Sequence, residues 1–483
     1  MDWEIVIGLE IHVQLKTQSK IFSGSSTAFG KSSNTQASYV DAGLPRILPS
    51  LNKEAVELAL RFGIAIQADI NKRSIFVRKN YFYPDLPKGY QITQDRDPII
   101  LGGHIAILVG KNTITVGIDH AHLEEDAGKS IHENLNSHTG IDLNRAGIPL
   151  LEIVSNPVMH SPIAAVSYAK AIHHLVQWIN ICDGNLQNGS FRIDANVSVR
   201  PSGEKSLSTR CEIKNLNSFR FLGKAIEYEA NRHINAYIKG EKVVQETRLY
   251  DANKNKTFSM RQKESAIDYR YLPDPDLPPL IVSQEWIDSV KRSMPPMPWT
   301  VQETLSREHN LDLDETTFIT QSLAHTLYFE SVLKECSSIQ AQQCIKWMNG
   351  PLQAYINEHS VSWEQPPISP CRLAQIIKNV SNGNLSQSSG RELFKYAIEE
   401  QDKEIGNIIE ERGLAQINEL SSLNDAAKEI IRDNINIAKQ VKAGEIKAIN
   451  ALMGKIMKKF SGKIDASQAR EALVLAINEE LVE

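Results

Sequence analysis

Residues 7–15, Ile-Gly-Leu-Glu-Ile-His-Val-Gln-Leu, alternate without a break. Ile7, Leu9, Ile11, Val13 and Leu15 fall on one face of a strand and Gly8, Glu10, His12 and Gln14 on the other, because strand side chains alternate with period two. The pattern returns in residues 191–200, where Phe191, Ile193, Ala195, Val197 and Val199 oppose Arg192, Asp194, Asn196, Ser198 and Arg200. A helix cannot place either set on one face. The chain is therefore expected to build a mixed or antiparallel sheet with one apolar and one polar face, and along its first strand Glu10 and His12 stand roughly 6.5–7 Å apart. The alternation by itself also fits a half-exposed sheet whose polar face is solvated.

At 483 residues the chain exceeds one ordinary core, so two or three domains are expected. Helices interrupt the strands at 52–67 and 161–181, where apolar residues recur at three and four spacing. The prolines of 271–280 and 294–299 cannot continue a helix or a central strand. Beyond them the pattern is helical almost throughout, with a weaker division where Gly413 is followed by a serine- and aspartate-rich start. The expected fold class is α+β: a sheet domain at 1–292, a helical domain at 293–410 and a helical tail at 411–483.

Acidic residues stand where a secretory leader would be basic, and no run approaches 18 apolar residues, so a cytoplasmic location without membrane association is expected. Five cysteines, odd in number and never in CxxC spacing, argue for reduced thiols and against a cysteine zinc site. A net charge of −5 leaves any nucleic-acid role to a local patch.

Carboxylates recur beside apolar or glycine neighbours: Glu10, the run Glu124, Glu125 and Asp126, Glu152 within Pro-Leu-Leu-Glu-Ile-Val-Ser, and Asp194. An acid such as Glu152 is expensive to bury without a cation. A lysine or arginine would serve, and so would a hard metal ion, for which oxygen ligands suit magnesium better than zinc. Residues 77–92 supply the opposite charge, interleaving Arg78, Lys79 and Lys88 with Tyr81, Phe82, Tyr83 and Tyr90. Such a segment suits a phosphate and a stacked base, or a tyrosine-rich loop packed on a sheet. Arg192, Arg200, Arg210 and Lys214 add cations on the strands. No GxxxxGK followed by Ser or Thr is present, so any ATP binds by another geometry. In the tail, Ile446, Ile449, Met453, Ile456, Met457 and Phe460 form a helical stripe with Lys447, Lys455, Lys458 and Lys459 largely opposite. That face is either solvated or in contact with a phosphate backbone.

In chain order, IGLEIHVQL, RKNYFYPDLPKGYQI, HLEEDAGK, DLNRAGIPLLEIVS, GSFRIDANVSVRP, EIKNLNS, ETRLYD and DYRYLPDPDLPPL closely resemble the GatB family of bacterial aspartyl/glutamyl-tRNA amidotransferase subunits. The resemblance covers nearly the whole chain. It implies a catalytic cradle at 1–292, a helical domain at 293–410 and a YqeY-like tail at 411–483 that approaches tRNA. It further implies a heterotrimer with a GatA-type glutaminase and a small GatC-type subunit. ATP and Mg2+ would activate the side-chain carboxylate of misacylated Glu-tRNA(Gln) or Asp-tRNA(Asn), which ammonia then converts to the amide. Glu10, His12, Glu124, Glu125, Glu152 and Asp194 match the magnesium-site motifs. Lys79, Arg192 and Lys214 match motif positions assigned to phosphate or transition-state charge, and Tyr81, Tyr83, Lys88, Tyr90 and Arg200 to nucleotide or 3′-end binding. A tRNA-binding scaffold with a structural acid cluster and a free-standing small-molecule ligase remain the alternatives.

Four positions depart from the family pattern. Ser23, Ser25, Ser38 and Asp41 stand where many relatives carry a cysteine cluster resembling a zinc site, so no zinc is expected. His120 replaces an arginine, Asn434-Ile435-Asn436 replaces Asn-Pro-Lys and weakens the expected helix stop, and Leu272 replaces a phenylalanine while keeping its site apolar.

Overall fold

The computed structural model describes residues 2–131, 138–262, 269–336, 339–415, 420–443, 446–460, 464 and 466–480. Two compact units divide the chain, Met1–Pro298 and Trp299–Glu483.

The first unit contains β1 (Trp3–Gln14), α1 (Lys53–Ala65), β2 (Phe76–Asn80), β3 (Tyr90–Gln94), β4 (Asn112–Glu125), β5 (Pro149–Ser155), α2 (Pro162–Trp178), β6 (Phe191–Pro201), β7 (Cys211–Lys214), α3 (Phe219–Ile238), β8 (Glu246–Asp251) and β9 (Lys256–Gln262). Ten strands form one sheet in the order β9-β8-β7-β6-β1-β5-β4, continued by Ile100–Leu101 and Asp69–Ile70, with His104–Val109 also on β4. The pairing is antiparallel except between β7 and β8. β2 and β3 pair with Leu272–Pro273 in a smaller sheet.

Ile7, Leu9, Ile11 and Val13 are buried, as are Phe191, Ile193, Ala195, Val197 and Val199. α2 and α3 pack against this apolar face. Each fully buried aliphatic or aromatic side chain contributes roughly 1.5–3 kcal/mol. Asn52, Ser161 and Ser218 start the three helices by accepting from the backbone N–H of Glu54, Ala164 and Phe221, each cap contributing about 1 kcal/mol.

Lys20 ties the loop after β1 to the sheet domain. Its side chain is fully buried, with Nζ 3.2 Å from Asp41 Oδ2 and donating to Leu143 O at 3.1 Å. Asp41 also accepts from the Ser23 hydroxyl and from Ser38 N–H. An ammonium group and hydrogen bonds thus engage Asp41, Ser23 and Ser38, a donor set without the thiolates or imidazoles that zinc prefers.

The proline-rich stretch belongs to the first unit: Leu272–Pro273 pairs with Val77–Arg78, and Leu280–Ile281 with Arg73–Ser74. Leu272 is 61% exposed, so the expectation of an apolar site there is corrected: on this short edge strand its side chain faces outward.

The second unit is helical among its described residues. Its last bundle comprises α4 (Leu420–Asp433), α5 (Ile435–Lys442), α6 (Ile449–Lys459) and α7 (Ala466–Glu480). Ala427, Ile431, Leu452, Ile456, Leu473 and Ile477 form its core, with Met453, Met457 and Phe460 packed against it. The predicted stripe is therefore core, and Lys447, Lys455, Lys458 and Lys459 are exposed. The Ile446 side chain, residues 416–419, 444–445 and 461–463 lie outside the described residues. The helix stop at 434 is complete without the proline, because α4 ends at Asp433 and Asn434 adopts φ −132°. Asn434 Nδ2 donates to Ile430 O at 2.8 Å and its Oδ1 accepts from Lys455 Nζ, so the side chain joins α4 to α6 at the break. No described helix is long and apolar enough to cross a membrane.

Candidate active site

β1 pairs with β5 on one side and β6 on the other, which gives each of its polar residues two cross-strand neighbours. His12 stands opposite Glu152 and Arg192, and Glu152 stands opposite His122 of β4. The register thus sets His122, Glu152, His12 and Arg192 in one row across four strands, with opposite Cβ atoms about 5 Å apart. Two residues along β4, Glu124 enters the same face, and Glu10 stands opposite Asp194. His12 Nε2 lies 3.2 Å from Glu152 Oε2 and 3.8 Å from Glu124 Oε1. His122 Nε2 lies 3.6 Å from Glu152 Oε2 and 3.7 Å from Glu124 Oε2.

Lys214 Nζ donates to Asp194 at 2.6 Å and lies 3.3 Å from Glu212, whose second oxygen accepts the Thr247 hydroxyl at 2.8 Å. Gln14 Nε2 donates to Asp126 Oδ2 at 3.0 Å. Arg192 Nη2 is 3.1 Å from the same oxygen but not aligned for a hydrogen bond, and its buried Nε and Nη2 have no acceptor among the described residues. These groups surround a cavity of about 350 Å³ that Lys79, Tyr81, Tyr83 and Tyr269 also line. Lys79 Nζ sits 5.0 Å from the Tyr269 ring centroid, a cation–π contact. His12, Arg145, Arg192 and Lys214 also border a wider cleft of about 1190 Å³.

Burial works against the charge on His12, but Glu152 and then Glu124 outweigh it and raise the imidazole to about 9. Burial would likewise raise Glu152, yet His122, His12 and Lys79 hold its carboxyl well below the usual range. Lys79 is also desolvated, and Glu124 and Glu152 nevertheless keep its ammonium firmly charged. Glu10 differs: burial, followed by repulsion from Glu152, raises it to about 7. Ligand atoms of His12, Glu124 and Glu152 lie within 4.8 Å of one another, as do those of Glu10, His12 and Asp194. One imidazole with two carboxylates is a donor set that fits a divalent cation. Cys211, Glu229 and His233 also lie close together, but Arg232 and Arg248 already neutralise Glu229.

A family profile described as the GatB/GatE catalytic domain matches residues 5–288, and one described as the GatB domain matches 327–477. The chain belongs to the GatB family. It is similar, at 48% identity, to the GatB-type subunit of the aspartyl/glutamyl-tRNA(Asn/Gln) amidotransferase of Burkholderia lata, over 98% of each chain. The corresponding proteins of Nitrosospira multiformis and of a Janthinobacterium species are 48% and 49% identical, each over 98% of this chain and 99% of their own length.

In this GatB-family chain the cavity brings together Glu10, His12, Lys79, Tyr81, Tyr83, Glu124, Glu152, Arg192 and Lys214 of the predicted residues, and Asp194 borders it through Lys214. Four others lie elsewhere. Glu125 follows Glu124 on a strand and so faces the opposite way, where it accepts from Lys88 Nζ and from Ile92 N–H. Lys88 is consumed by that pair, and Tyr90 is stacked under Arg78 with ring centroid and guanidinium 4.3 Å apart. Arg200, eight residues along β6 from Arg192, donates to Glu4 at 2.6 Å. Glu125, Lys88, Tyr90 and Arg200 therefore stand outside this cavity. His122, Asp126, Arg145, Glu212, Thr247 and Tyr269 are the additions. His122 was open to recognition as the residue two before Glu124, on the same face. Tyr269 and Thr247 carried no such signal, because long-range pairing brings them in.

His120 Nδ1 is 2.7 Å from Asp119 Oδ2, and its ring stacks on His122 at 5.4 Å between centroids.

Proposed function

We propose that this chain is the tRNA-binding, carboxylate-activating component of an ATP-dependent amidotransferase. It would act on the side-chain carboxylate of Glu or Asp esterified to the wrong tRNA, working with a GatA-type glutaminase and a GatC-type small subunit in the cytoplasm. The observation that carries this reading is the convergence of His12, Glu124 and Glu152 with Lys79 and the unsatisfied Arg192 donors in one cavity.

A carboxylate is a poor electrophile. Transfer of the γ-phosphoryl group of ATP to the side-chain oxygen makes an acyl phosphate; ammonia then attacks the acyl carbon and phosphate leaves. Such chemistry asks the protein chiefly for positioning and charge neutralisation. His12, Glu124 and Glu152 are the residues that would hold Mg2+, which when bound neutralises phosphate charge. Lys79 presents a desolvated ammonium to the transferring group. Arg192 supplies N–H donors whose unsatisfied state costs about 1–3 kcal/mol until an anion accepts them. Lys214, held by Asp194 and Glu212, borders both the cavity and the wider cleft through which ATP or the 3′ end would reach it. Tyr81 and Tyr83 offer aromatic faces at the same rim.

Residues 293–410 would form a helical domain, and residues 411–483 a separate tRNA-approaching domain through the exposed tail lysines. Ser23, Ser38 and Lys20 engage Asp41, and this reading includes no zinc ion.

The test is the reaction itself: the chain assembled with its GatA-type and GatC-type partners, given Glu-tRNA(Gln) or Asp-tRNA(Asn), ATP, magnesium and glutamine. ATP-dependent formation of the amide is expected. Absence of product from either substrate, with every component active, refutes the proposal.

A further inference from the structure

The described residues that border both the cavity of about 350 Å³ and the wider cleft of about 1190 Å³ are His12, Arg145, Arg192 and Lys214. Each is a cation, so positive charge rings the passage between the two spaces. His12 is matched by Glu152 and Glu124, and Lys214 by Asp194 and Glu212. Arg145 and Arg192 instead converge on one carboxylate oxygen, Asp126 Oδ2, with Nε of the first at 3.7 Å and Nη2 of the second at 3.1 Å. Glu124 and Asp194 also attract Arg192, but those acids have His12, His122 and Lys214 beside them. Burial works against the charge on Asp126, yet Arg192 and then Arg145 hold its carboxyl below the ordinary value. The aspartate is therefore ionised, and its single charge is shared between two guanidinium groups.

Arg145 is fixed in place by the chain that follows Asp126. Its Nε donates to Ala127 O at 2.9 Å and its Nη2 to Gly128 O at 2.7 Å. Its Nη1 donors are bonded to no described residue. Arg192, on the same aspartate, has buried Nε and Nη2 groups without an acceptor among the described residues. A guanidinium already locked in one rotamer loses little entropy on binding, and its planar fork matches phosphate oxygens. Donors from two such groups suit a phosphate, whose oxygens point in several directions, better than one planar carboxylate. On the cleft side Lys16, Lys31 and Lys129 extend the positive field. The cleft's Asp142 and Asp183 are engaged by backbone N–H groups of Asn34, Asn144 and Asn185.

We infer that Arg145 is a phosphate-binding residue: with Arg192 it grips a phosphate group of a ligand that lies in the wider cleft and reaches into the cavity. This rests on the proposed function, which brings two such ligands, the triphosphate of ATP and the phosphodiesters of the tRNA 3′ end.

The experiment compares wild type, Arg145→Gln and Arg145→Lys in the chain assembled with its proposed partners. Equilibrium binding gives the affinities for ATP and for uncharged tRNA(Gln), which carries the phosphodiesters but no side-chain carboxylate, and steady-state turnover gives the KM for Glu-tRNA(Gln). Arg145→Gln is expected to weaken ATP binding by about ten- to a hundredfold if the nucleotide fills the cleft. If the 3′ end fills it, the affinity for uncharged tRNA falls and the KM for Glu-tRNA(Gln) rises, together and by a similar factor. Arg145→Lys, which keeps the charge without the fork, is expected to recover part of the loss. All three constants within about threefold of wild type overturn the inference. So does an effect confined to Glu-tRNA(Gln), which would make the anion the side-chain carboxylate. An equal loss in both variants also overturns it, since Arg145 would then serve only to hold the turn at Ala127 and Gly128. Amide formation by the wild type separates each of these failures from failure of the proposed function.

Discussion

Glu229 shows how far a single carboxylate can be driven by its partners. It is fully buried on α3, where burial would raise its pKa, but hydrogen bonds from His233, Arg232 and Thr257 bring it down to about 2. A carboxyl depressed from 4.5 to about 2 contributes about 3 kcal/mol of stability, present above the unfolded value and lost as pH falls through the folded one. Glu229→Gln is therefore expected to flatten the loss of stability between about pH 5 and pH 2 in urea or thermal unfolding. An acid limb unchanged from wild type would contradict the assignment. At this scale the sequence was partly legible. Alternation put Glu10 with His12, and Arg192 with Asp194, on the polar faces of their two strands, whereas Glu124 and Glu125, adjacent on a third strand, face opposite ways.

Strands are where the site is assembled. The alternating patterns revealed β1 and β6, but the alignment of His122, Glu152, His12 and Arg192 depends on register, and the pairings of β1 with β5 and β6 that set it span more than a hundred residues of chain. Loops are positioned in a similarly nonlocal way. Lys20 reads as an ordinary surface lysine in sequence, yet it is buried on Asp41 beside Gly147, whose φ of +82° leaves no room for a Cβ, since one would lie 2.6 Å from Asp41 Oδ1. Lys20→Met is expected to cost about 3–5 kcal/mol by leaving Asp41 buried and unpaired, and Lys20→Met/Asp41→Leu to recover part of that loss. Denaturation midpoints of the two variants check it; a double variant no more stable than the single one would show that the pair is not the relevant unit. The stop at Asn434 carries the same lesson, because a side-chain bond to Ile430 and Lys455 does what a proline was expected to do.

For the whole molecule, the switch from alternating strands to helical periodicity was readable, and both units bear it out in their element content. The net charge of −5 conceals a local basic surface on the tail, where Lys447 and Lys458 are exposed while Lys459 pairs with Glu429. If that surface meets the tRNA backbone, Lys447→Glu/Lys458→Glu lowers tRNA affinity and reduces the salt dependence of binding by about one unit of slope per lost contact. Filter binding across a salt series measures this, and an unchanged slope would place the tRNA elsewhere.

The most direct test of the account is ATP-dependent amidation of Glu-tRNA(Gln) by the chain assembled with its proposed partners, wild type beside Glu152→Gln. Glu152 faces both His12 and His122 and joins them to Glu124. Its neutral isostere is predicted to retain tRNA binding and assembly while losing turnover by at least about a hundredfold, since the ordering of the proposed magnesium site is lost. Turnover within about threefold of wild type would contradict a catalytic centre at His12, Glu124 and Glu152, and would return the polar face of the sheet to solvent.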